Sequence, residues 1–316
     1  MRAGPLVPDT ALDYSNHATA QEELAPLEPN DTVLLERARA GERAALEELL
    51  ERHQRRVYRF GLKMCRDPED AKDVVQETLL AVARTVKDFR GASSVSTWLY
   101  TIARSFCIKK RRRSKFAPEQ EESLEAREPG LEARQVVDPG RPADEALAGR
   151  QIEGALERAI AGLDPMYREV LVLRDVEGLS AAEVGEVMGL TVEAVKSRLH
   201  RARLAVREAI APLLGVPPPP TPPQGQGATP PAAAQGEEGP CPDIVSLFSR
   251  HLEGEINAPV CAEMERHLAR CPGCRSRCDS LQKTLALCQA APLPEVPAPV
   301  QASVRQALRK FVELHG

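Results

Sequence analysis

The most constraining feature of this sequence is one stretch, residues 67–113, that begins as an amphipathic helix and ends as a basic one. Asp67 can cap the helix, Pro68 suits its first position, and Asp70 lies three residues after the cap. Mostly apolar side chains then recur at helical spacing and predict one buried stripe, formed by Val74, Val75, Thr78, Leu79, Val82 and Val86. The opposite face is not needed by the fold and carries Asp73, Gln76, Glu77 and Leu80.

A second helix in the same stretch, from about Ser96, is expected to bury Leu99, Ile102 and Phe106. Its end is strongly basic, because the segment from Arg104 to Lys115 contains seven Lys or Arg residues and no acidic residue. Seven of the eleven aromatic residues lie in 58–116, so the aromatic side chains are concentrated in one domain. A polar docking face, aromatic rings and a basic helix end therefore occur close together.

Two further helices are predicted upstream of this stretch. The first runs from Asp31 to Gln54, and the second carries Val57, Phe60 and Met64. Together with the stretch above they predict a compact helical domain over residues 31–115. Residues 1–30 show no sustained periodicity and are expected to be a disordered tail.

Residues 149–214 predict a second helical domain that contains a helix-turn-helix. The domain begins with two helices that are separated at Asp164 and Pro165. Ser180 and Glu183 then form a capping box at the start of the next helix. Gly189 supplies a tight turn after it, and Thr191 caps the last helix. Val184 and Met188 are expected to face inward, as are Val195 and Leu199. The outward positions of the last helix are Lys196, Ser197, Arg198, His200, Arg201 and Arg203. Such a helix can enter a DNA major groove, with cations for phosphates and polar groups for base edges. An ordinary amphipathic helix pair with a solvated basic face is the alternative.

Two sets of residues resemble the sigma-70 family, in particular the small extracytoplasmic-function (ECF) sigma factors. Region two of that family is matched by DAKDVVQE at 70–77, FRG at 89–91 and TWLYTIAR at 97–104, and region four by VKSRLHRAR at 195–203. The match departs at Ser105, where the family often has Asn, and at Lys109, where it often has Asp. Two such units in this order, separated by an acidic spacer, are more specific than a helix-turn-helix alone.

The resemblance implies a role for each matched block. Asp73, Gln76 and Glu77 would bind the clamp helices of core RNA polymerase. The residues implied in handling the promoter's −10 strand are Trp98, Tyr100 and Arg104. Arg111 and Arg112, at the basic end of the same helix, are expected to bind DNA as well. The helix with Lys196 to Arg203 would contact the −35 element. For Trp98, a place in the core is the alternative.

Two connecting segments differ in composition. Residues 116–148 hold nine acidic and three basic residues with four prolines, which favours a solvated spacer; the resemblance suggests instead an acidic segment that enters a polymerase channel. Residues 215–240 consist almost entirely of Pro, Gly, Gln, Ala, Thr and Glu and predict a flexible tether. Both are expected to be disordered.

The third predicted module, residues 241–290, is rich in cysteine, since six of the eight cysteines follow Pro240. The sequence has no long apolar run and no signal-peptide pattern at its start, which predicts a cytoplasmic protein with no membrane insertion. In a reducing compartment, clustered cysteines favour metal binding over disulfides. His267, Cys271 and Cys274, with Cys241 upstream, would complete a closed tetrahedral zinc site.

This module resembles the zinc-binding anti-sigma domains, through LEGE at 252–255 and HLARCP at 267–272. Three cysteines exceed the needs of that family: Cys261, Cys278 and Cys288. Extra thiols suit ions such as Cu(I), Cd(II) or Zn(II), or thiol oxidation, and some ECF sigma factors that this chain resembles carry a Cys-rich tail that senses heavy metals. Each of these three cysteines can equally be a small buried residue. For Cys65 and Cys107, which lie in the first helical domain, a buried core position is the favoured interpretation. His251 is an alternative metal ligand.

The last segment, residues 291–316, predicts an amphipathic helix with Val304, Leu308, Phe311 and Val312 on one stripe. It can pack on its own zinc module, or bind the two sigma-like domains as an intramolecular lock. Both interpretations stay open, as does the presence of a separate anti-sigma partner.

The sequence thus predicts an all-α protein with two helical sigma domains and a small metal-binding C-terminal domain. Its expected function is to direct core RNA polymerase to promoters with −35 and −10 elements, with activity modulated by the metal or thiol state of the tail. Zn²⁺ is the expected ion, and Cu or Cd a candidate for sensing. No paired carboxylates and no nucleophile with a base stand out, so an enzyme is not expected. The rival function is a zinc-containing helix-turn-helix regulator that acts without a sigma role.

Overall fold

The structure, a computed structural model, describes residues 30–89, 91, 93–116, 143–214 and 241–315. The predicted N-terminal tail, most of the acidic linker and the predicted tether lie outside the described residues. The described chain contains helices and connections with no strand, which confirms the all-α class. It divides into two compact units, a larger one with the described residues of 29–231 and 279–316, and a smaller one with those of 232–278.

The first half of the larger unit consists of four helices. They are α1 (Asn30–Arg39), α2 (Arg43–Cys65), α3 (Pro68–Thr85) and α4 (Val95–Phe116), with a 3-10 turn at Val86–Asp88 after α3. Asp67 caps α3 as predicted, because its carboxylate accepts from the backbone N–H of Glu69 at 2.7 Å and of Asp70 at 3.0 Å. The predicted stripe of α3 is fully buried from Val74 to Val86.

The predicted boundary between the first two helices was wrong. We expected one helix from Asp31 to Gln54, but the chain breaks between α1 and α2 and continues unbroken through Gln54 to Cys65. The break lies at Gly41, whose φ of 94° is a left-handed conformation that glycine adopts without strain. The apolar residues before and after Gly41 continue at helical spacing, so the sequence pattern did not indicate the break.

The second half of the larger unit contains the helix-turn-helix. Its elements are α5 (Ala143–Gly162), α6 (Pro165–Leu171), a π turn at Val172–Val176, α7 (Ala181–Met188), α8 (Val192–Ile210) and a 3-10 turn at Ala211–Leu214. The capping box is present: the Ser180 hydroxyl accepts from Glu183 N–H at 3.2 Å, and the Glu183 carboxylate accepts from Ser180 N–H at 2.9 Å. Gly189 has φ 68° at the turn, and a Cβ at Gly185 would meet the Leu190 carbonyl at 2.7 Å, so the sharp turn needs glycine at both places.

Four helices make up the C-terminal part of the chain. The smaller unit contains α9 (Ile244–Leu252), α10 (Ala258–Arg270) and the start of α11 (Pro272–Gln289), while the rest of α11 and α12 (Ala298–His315) belong to the larger unit. The module predicted at 241–290 is thus divided between the two units. Val304 of the predicted α12 stripe is buried, whereas the side chains of Leu308, Phe311 and Val312 lie outside the described part.

The two halves of the larger unit are joined by a buried ionic contact. Arg59 in α2 donates from Nε and Nη2 to the two carboxylate oxygens of Glu177, at 2.9 and 2.8 Å. Tyr100 in α4 donates its hydroxyl hydrogen to the same carboxylate at 2.7 Å. The Glu177 side chain is 0% exposed. Burial by itself would lower the pKa of Arg59, but the hydrogen bond to Glu177 and the charge of that carboxylate together raise it.

Further polar contacts lie around this carboxylate. Arg104 donates to Glu169 at 2.8 Å, Lys63 pairs with Glu157 at 2.6 Å, and Ser94 donates to Glu183 at 2.7 Å. Each contact joins the first half to a helix of the second half, from α2, from α4 or from Ser94 directly before α4. The two halves are therefore joined by charged and polar contacts as well as by a shared apolar core.

We expect Glu177→Gln to open this contact, because it leaves the buried Arg59 guanidinium without an anionic partner. Removing one member of a buried ion pair costs roughly 3–5 kcal/mol, which corresponds to about a hundredfold or more in the local opening equilibrium. Hydrogen exchange of the amides in α4 and α7 should accelerate accordingly. Glu186→Gln, at an exposed position of α7, is the matched control and should leave exchange unchanged; equal exchange in both variants would contradict the assignment.

Candidate nucleic-acid interface and metal centre

The outer face of α8 is cationic, as expected for a recognition helix. Ser197 and Arg201 are exposed, and the other outward residues that we predicted are half-buried: Lys196, Arg198 and His200. Arg201 donates to the Tyr167 hydroxyl at 3.3 Å, which orients it across a cleft between α6 and α8. Cations and a small hydroxyl on one accessible helix face match the groups that bind DNA phosphates and base edges.

Arg203 does not share this surface. It is 3% exposed and donates to both carboxylate oxygens of Asp175, at 2.9 and 2.7 Å. This bidentate pair ties α8 to the π turn within the same domain. The prediction that Arg203 contacts DNA is therefore corrected for this structure: the residue has a structural role, because it faces the core side of α8.

Several residues that we predicted to handle the −10 strand lie at the contact between the two halves. Tyr100 is 3% exposed and bonded to Glu177, and Arg104 is bonded to Glu169. Burial, followed by the charge of Glu177, raises the pKa of Tyr100. Trp98 is half-buried and stacks on Phe89 with ring centroids 4.5 Å apart. In this arrangement Tyr100 faces the protein interior.

The basic end of α4 and the polar face of α3 stay accessible. Arg111 is half-buried and Arg112 exposed. On α3, Asp73 and Glu77 are exposed and Gln76 is half-buried, and Asp73 forms an ion pair with Lys110 of α4. This ion pair raises the pKa of Lys110. Among the described residues, nothing covers the side chains of Asp73 and Glu77, which belong to the face predicted to bind polymerase.

The four predicted metal ligands lie together in the smaller unit. The ligand atoms of Cys241, His267, Cys271 and Cys274 all fall within 4.8 Å of one another, and no other group of three or more such residues occurs in the described part of the chain. His267 lies in the last turn of α10, Cys271 directly follows that helix, and Cys274 lies in the first turn of α11. Two helix ends therefore bring ligands from separate elements to one point.

The chemistry of this set fits a metal ion. His267 Nε2 is buried, and no hydrogen-bond partner reaches it within the described part of the chain, which is costly for a polar nitrogen unless a ligand satisfies it. A hydrogen bond from the Cys274 backbone lowers the pKa of Cys271, whereas burial and the neighbouring thiols raise that of Cys274 to about 12. A bound cation would ionise both thiols. One imidazole and three thiols form a set typical of closed structural sites.

The three extra cysteines lie outside this set. Cys261 is half-buried, with its Sγ 3.0 Å from His251 Nδ1, so the alternative ligand His251 contacts a thiol of its own. Cys278 and Cys288 are both 0% exposed. Burial raises the pKa of Cys288 to about 12, which makes it a poor nucleophile in this arrangement.

Sequence reasoning missed the acidic partners of the interface. Glu177 and Glu169 lie in the second half, far along the chain from Arg59, Tyr100 and Arg104. No local pattern distinguishes these two carboxylates from the many solvated acidic residues of the chain. The only sequence feature that pointed to this contact was the spacing of Tyr100 and Arg104, which places both on one face of a helix.

None of the described helices has the length and apolar character needed to cross a membrane.

Three family models and several known proteins match parts of this chain. The family model for Sigma-70 region 2 matches residues 49–116, that for Sigma-70 region 4 matches 153–206, and a zinc-finger family model matches 241–275. A solved structure of CnrH in complex with the cytosolic domain of CnrY is 25% identical and covers 59% of this chain and 97% of its own, with a TM-score of 0.41.

Similar curated proteins cover the two sigma-like domains. The RNA polymerase sigma-H factor of Pseudomonas aeruginosa is 31% identical over 188 residues, which are 58% of this chain and 95% of that protein. The ECF RNA polymerase sigma-E factor of Haemophilus influenzae is 30% identical over 188 residues, 58% of this chain and 97% of that protein. The chain therefore belongs to the extracytoplasmic-function sigma factors of the sigma-70 family.

Proposed function

We propose that this protein directs core RNA polymerase to specific promoters and initiates transcription there, in the cytoplasm. The observation that carries the proposal is the accessible cationic face of α8, around Ser197 and Arg201, in one chain with the accessible acidic face of α3. Asp73, Gln76 and Glu77 bind the polymerase, and α8 binds the −35 element. Arg112 and the other basic residues at the end of α4 attract the −10 strand.

The −10 function requires the two halves of the larger unit to separate. Tyr100 and Arg104 are bonded to carboxylates of the second half, and an unpaired DNA strand would have to replace those carboxylates. Base stacking on aromatic rings and phosphate contacts with arginine are the interactions that single strands use. The present arrangement is then a closed form, and the transcribing form is open.

Run-off transcription with core polymerase that lacks any specificity subunit tests this function. On genomic fragments we expect transcripts from discrete start sites. Arg201→Ala should weaken binding to the mapped −35 duplex and lower the slope of log affinity against log salt by about one, since one phosphate contact is lost. Arg39→Ala, at an exposed position of α1, is the control and should change neither. DNA binding without any polymerase-dependent transcript would favour the rival helix-turn-helix regulator instead.

We further propose that Zn²⁺ occupies the set formed by Cys241, His267, Cys271 and Cys274. The donors of this set, three sulfurs and one imidazole nitrogen, are those that zinc takes in closed sites, and their ligand atoms lie close enough to share one ion. Cu(I) and Cd(II) share the preference for thiolates, so either can compete as a sensed ion. Cys241, His267, Cys271 and Cys274 would hold the ion, and their shared coordination would link α10, the start of α11 and the segment that carries Cys241.

The isolated 316-residue chain should contain about one equivalent of zinc by elemental analysis, with a closed four-ligand site. Cys271→Ser should lose the metal, because it removes a ligand at the centre of the set. Cys261→Ser removes a thiol of the same unit that contacts His251 instead, and it should retain the metal. Zinc retained by Cys271→Ser, or lost by Cys261→Ser, would contradict this site.

For regulation we propose that residues 288–304, here termed the C-terminal lock, hold the closed form. Arg55 donates to the carbonyls of Leu293 at 2.5 Å and Pro294 at 3.2 Å, and Arg59 donates to the carbonyl of Ala291 at 2.8 Å. The apolar side of the lock is buried in the core shared by both halves, through Cys288, Val296, Val300 and Val304.

The lock therefore contacts the same arginine that binds Glu177. Separating the halves removes Glu177 from Arg59, and it uncovers Cys288, whose charged neighbours include Asp175 of the second half and Lys63 of the first. The lock and the interface therefore stabilise each other. A metal ion or an oxidant at the tail can shift this equilibrium only by its different affinity for the closed and open forms. An intramolecular lock needs no separate anti-sigma protein.

Val304→Asp should release the lock, because it places a charge at a position that is 5% exposed in the closed form. We expect run-off transcription at limiting polymerase to rise roughly tenfold or more, as the closed form loses stability. Ala302→Asp adds the same charge to the exposed side of α12, and it should stay within about twofold of the unmodified protein. Equal output from both variants would show that the lock does not restrain activity.

A further inference from the structure

Two cysteines outside the tail lie in contact in the first helical half. Cys65 is the last residue of α2 and Cys107 lies in the middle of α4. Their sulfur atoms are 3.5 Å apart and share a hydrogen bond. Cys107 is 1% exposed, whereas Cys65 is half-buried and open to small molecules. Neither residue belongs to the metal set or to the proposed DNA-binding surface.

We propose that Cys65 and Cys107 form a redox site, at which hydroperoxides oxidise the two thiols to an intramolecular disulfide. A disulfide needs the sulfurs at about 2.05 Å, so they must approach by roughly 1.5 Å. Cys65 ends its helix directly before Arg66, which has a left-handed φ of 64°. A helix end can shift by this amount more easily than a helix interior can, because fewer backbone hydrogen bonds hold it.

The surroundings make Cys65 the attacking thiol. The hydrogen bond with Cys107 lowers the pKa of Cys65, burial and Asp70 oppose this, and the cations Arg111 and Lys110 support it. The same hydrogen bond, together with burial, raises the pKa of Cys107. Cys65 is thus both the more exposed thiol and the one that ionises first. These are the two properties of a thiol that reacts with peroxide.

The reaction proceeds in two balanced steps. The Cys65 thiolate attacks one peroxide oxygen, the O–O bond breaks, and the leaving alkoxide or hydroxide takes a proton, so Cys65 becomes a sulfenic acid. The Cys107 sulfur then attacks the Cys65 sulfur; its thiol proton and the sulfenic hydroxyl leave as water. In sum, two thiols and one hydroperoxide give one disulfide, one alcohol or water, and one water. A dithiol reductant reverses the oxidation.

The bond would close a loop that contains all of α3 and the first half of α4. This loop holds the proposed polymerase face at Asp73 and Glu77 and the proposed −10 residues Trp98 and Tyr100. Cross-linking the end of α2 to α4 restricts the unfolded chain and so stabilises the module while oxidised. The oxidised form should therefore unfold at a higher temperature than the reduced form.

Peptide mass mapping of the zinc-loaded, 316-residue chain tests the site. After brief treatment with hydrogen peroxide and alkylation of the remaining thiols, we expect a cross-linked peptide pair joining Cys65 to Cys107, which disappears on reduction. In Cys107→Ala, a dimedone adduct should appear on Cys65, since the sulfenic acid has lost its partner. In Cys65→Ala, Cys107 should stay reduced at the same peroxide dose, because it is buried.

Internal and spectroscopic controls accompany the variants. Cys288, which is buried in the same unit, should react at least about tenfold more slowly than Cys65, since a buried thiol with a raised pKa is protected. Far-UV circular dichroism checks that both alanine variants keep their helix content. The proposal is overturned if both thiols stay free after peroxide, if Cys65 pairs with a tail cysteine or becomes a sulfinic acid, or if Cys107 is oxidised in Cys65→Ala. These results do not depend on transcription, so they stand apart from the proposed sigma function.

Discussion

The buried carboxylate of Glu177 is the group on which the arrangement of the two sigma domains depends. It accepts two hydrogen bonds from Arg59 and one from Tyr100, in a place that solvent does not reach. An anion in such a place is tolerated only when it is paired and fully hydrogen-bonded. Arg59 also donates to the carbonyls of Val176 and Ala291, so one guanidinium joins three segments of the chain.

This interface gives Tyr100 and Arg104 a partner before any DNA is present. If they bind the promoter strand, the strand replaces the carboxylates of Glu177 and Glu169, and negative phosphates take the place of negative side chains. In the closed form, the carboxylates of Glu177 and Glu169 would then occupy the positions on α4 that DNA phosphates take in the open form. The closed form and the DNA-bound form would both use Tyr100 and Arg104, so they exclude each other. A small change in the stability of the closed form would therefore change the fraction of protein that can bind DNA.

Burial and neighbours, rather than position in the sequence, divide the eight cysteines by chemistry. Cys241, Cys271 and Cys274 converge with an unsatisfied imidazole, and Cys261 contacts a histidine of its own. Cys278 and Cys288 are both buried, away from solvent. Cys65 and Cys107 contact each other. A cysteine-rich chain can thus combine a metal site, buried thiols and a dithiol without conflict.

The sequence alone determined the features that depend on neighbours along the chain. Caps at Asp67 and Ser180, the buried stripe of α3, the helix-turn-helix and the spacing of the metal ligands follow from backbone hydrogen bonds and helical period, which act over a few residues.

Only the tertiary structure decided which cations are accessible. Arg201 and Arg203 look alike in sequence, but one reaches solvent and the other pairs with Asp175. The Glu177 contacts span 118 and 77 residues, and no local pattern encodes a pairing over such separations, because the packing of whole helices creates it.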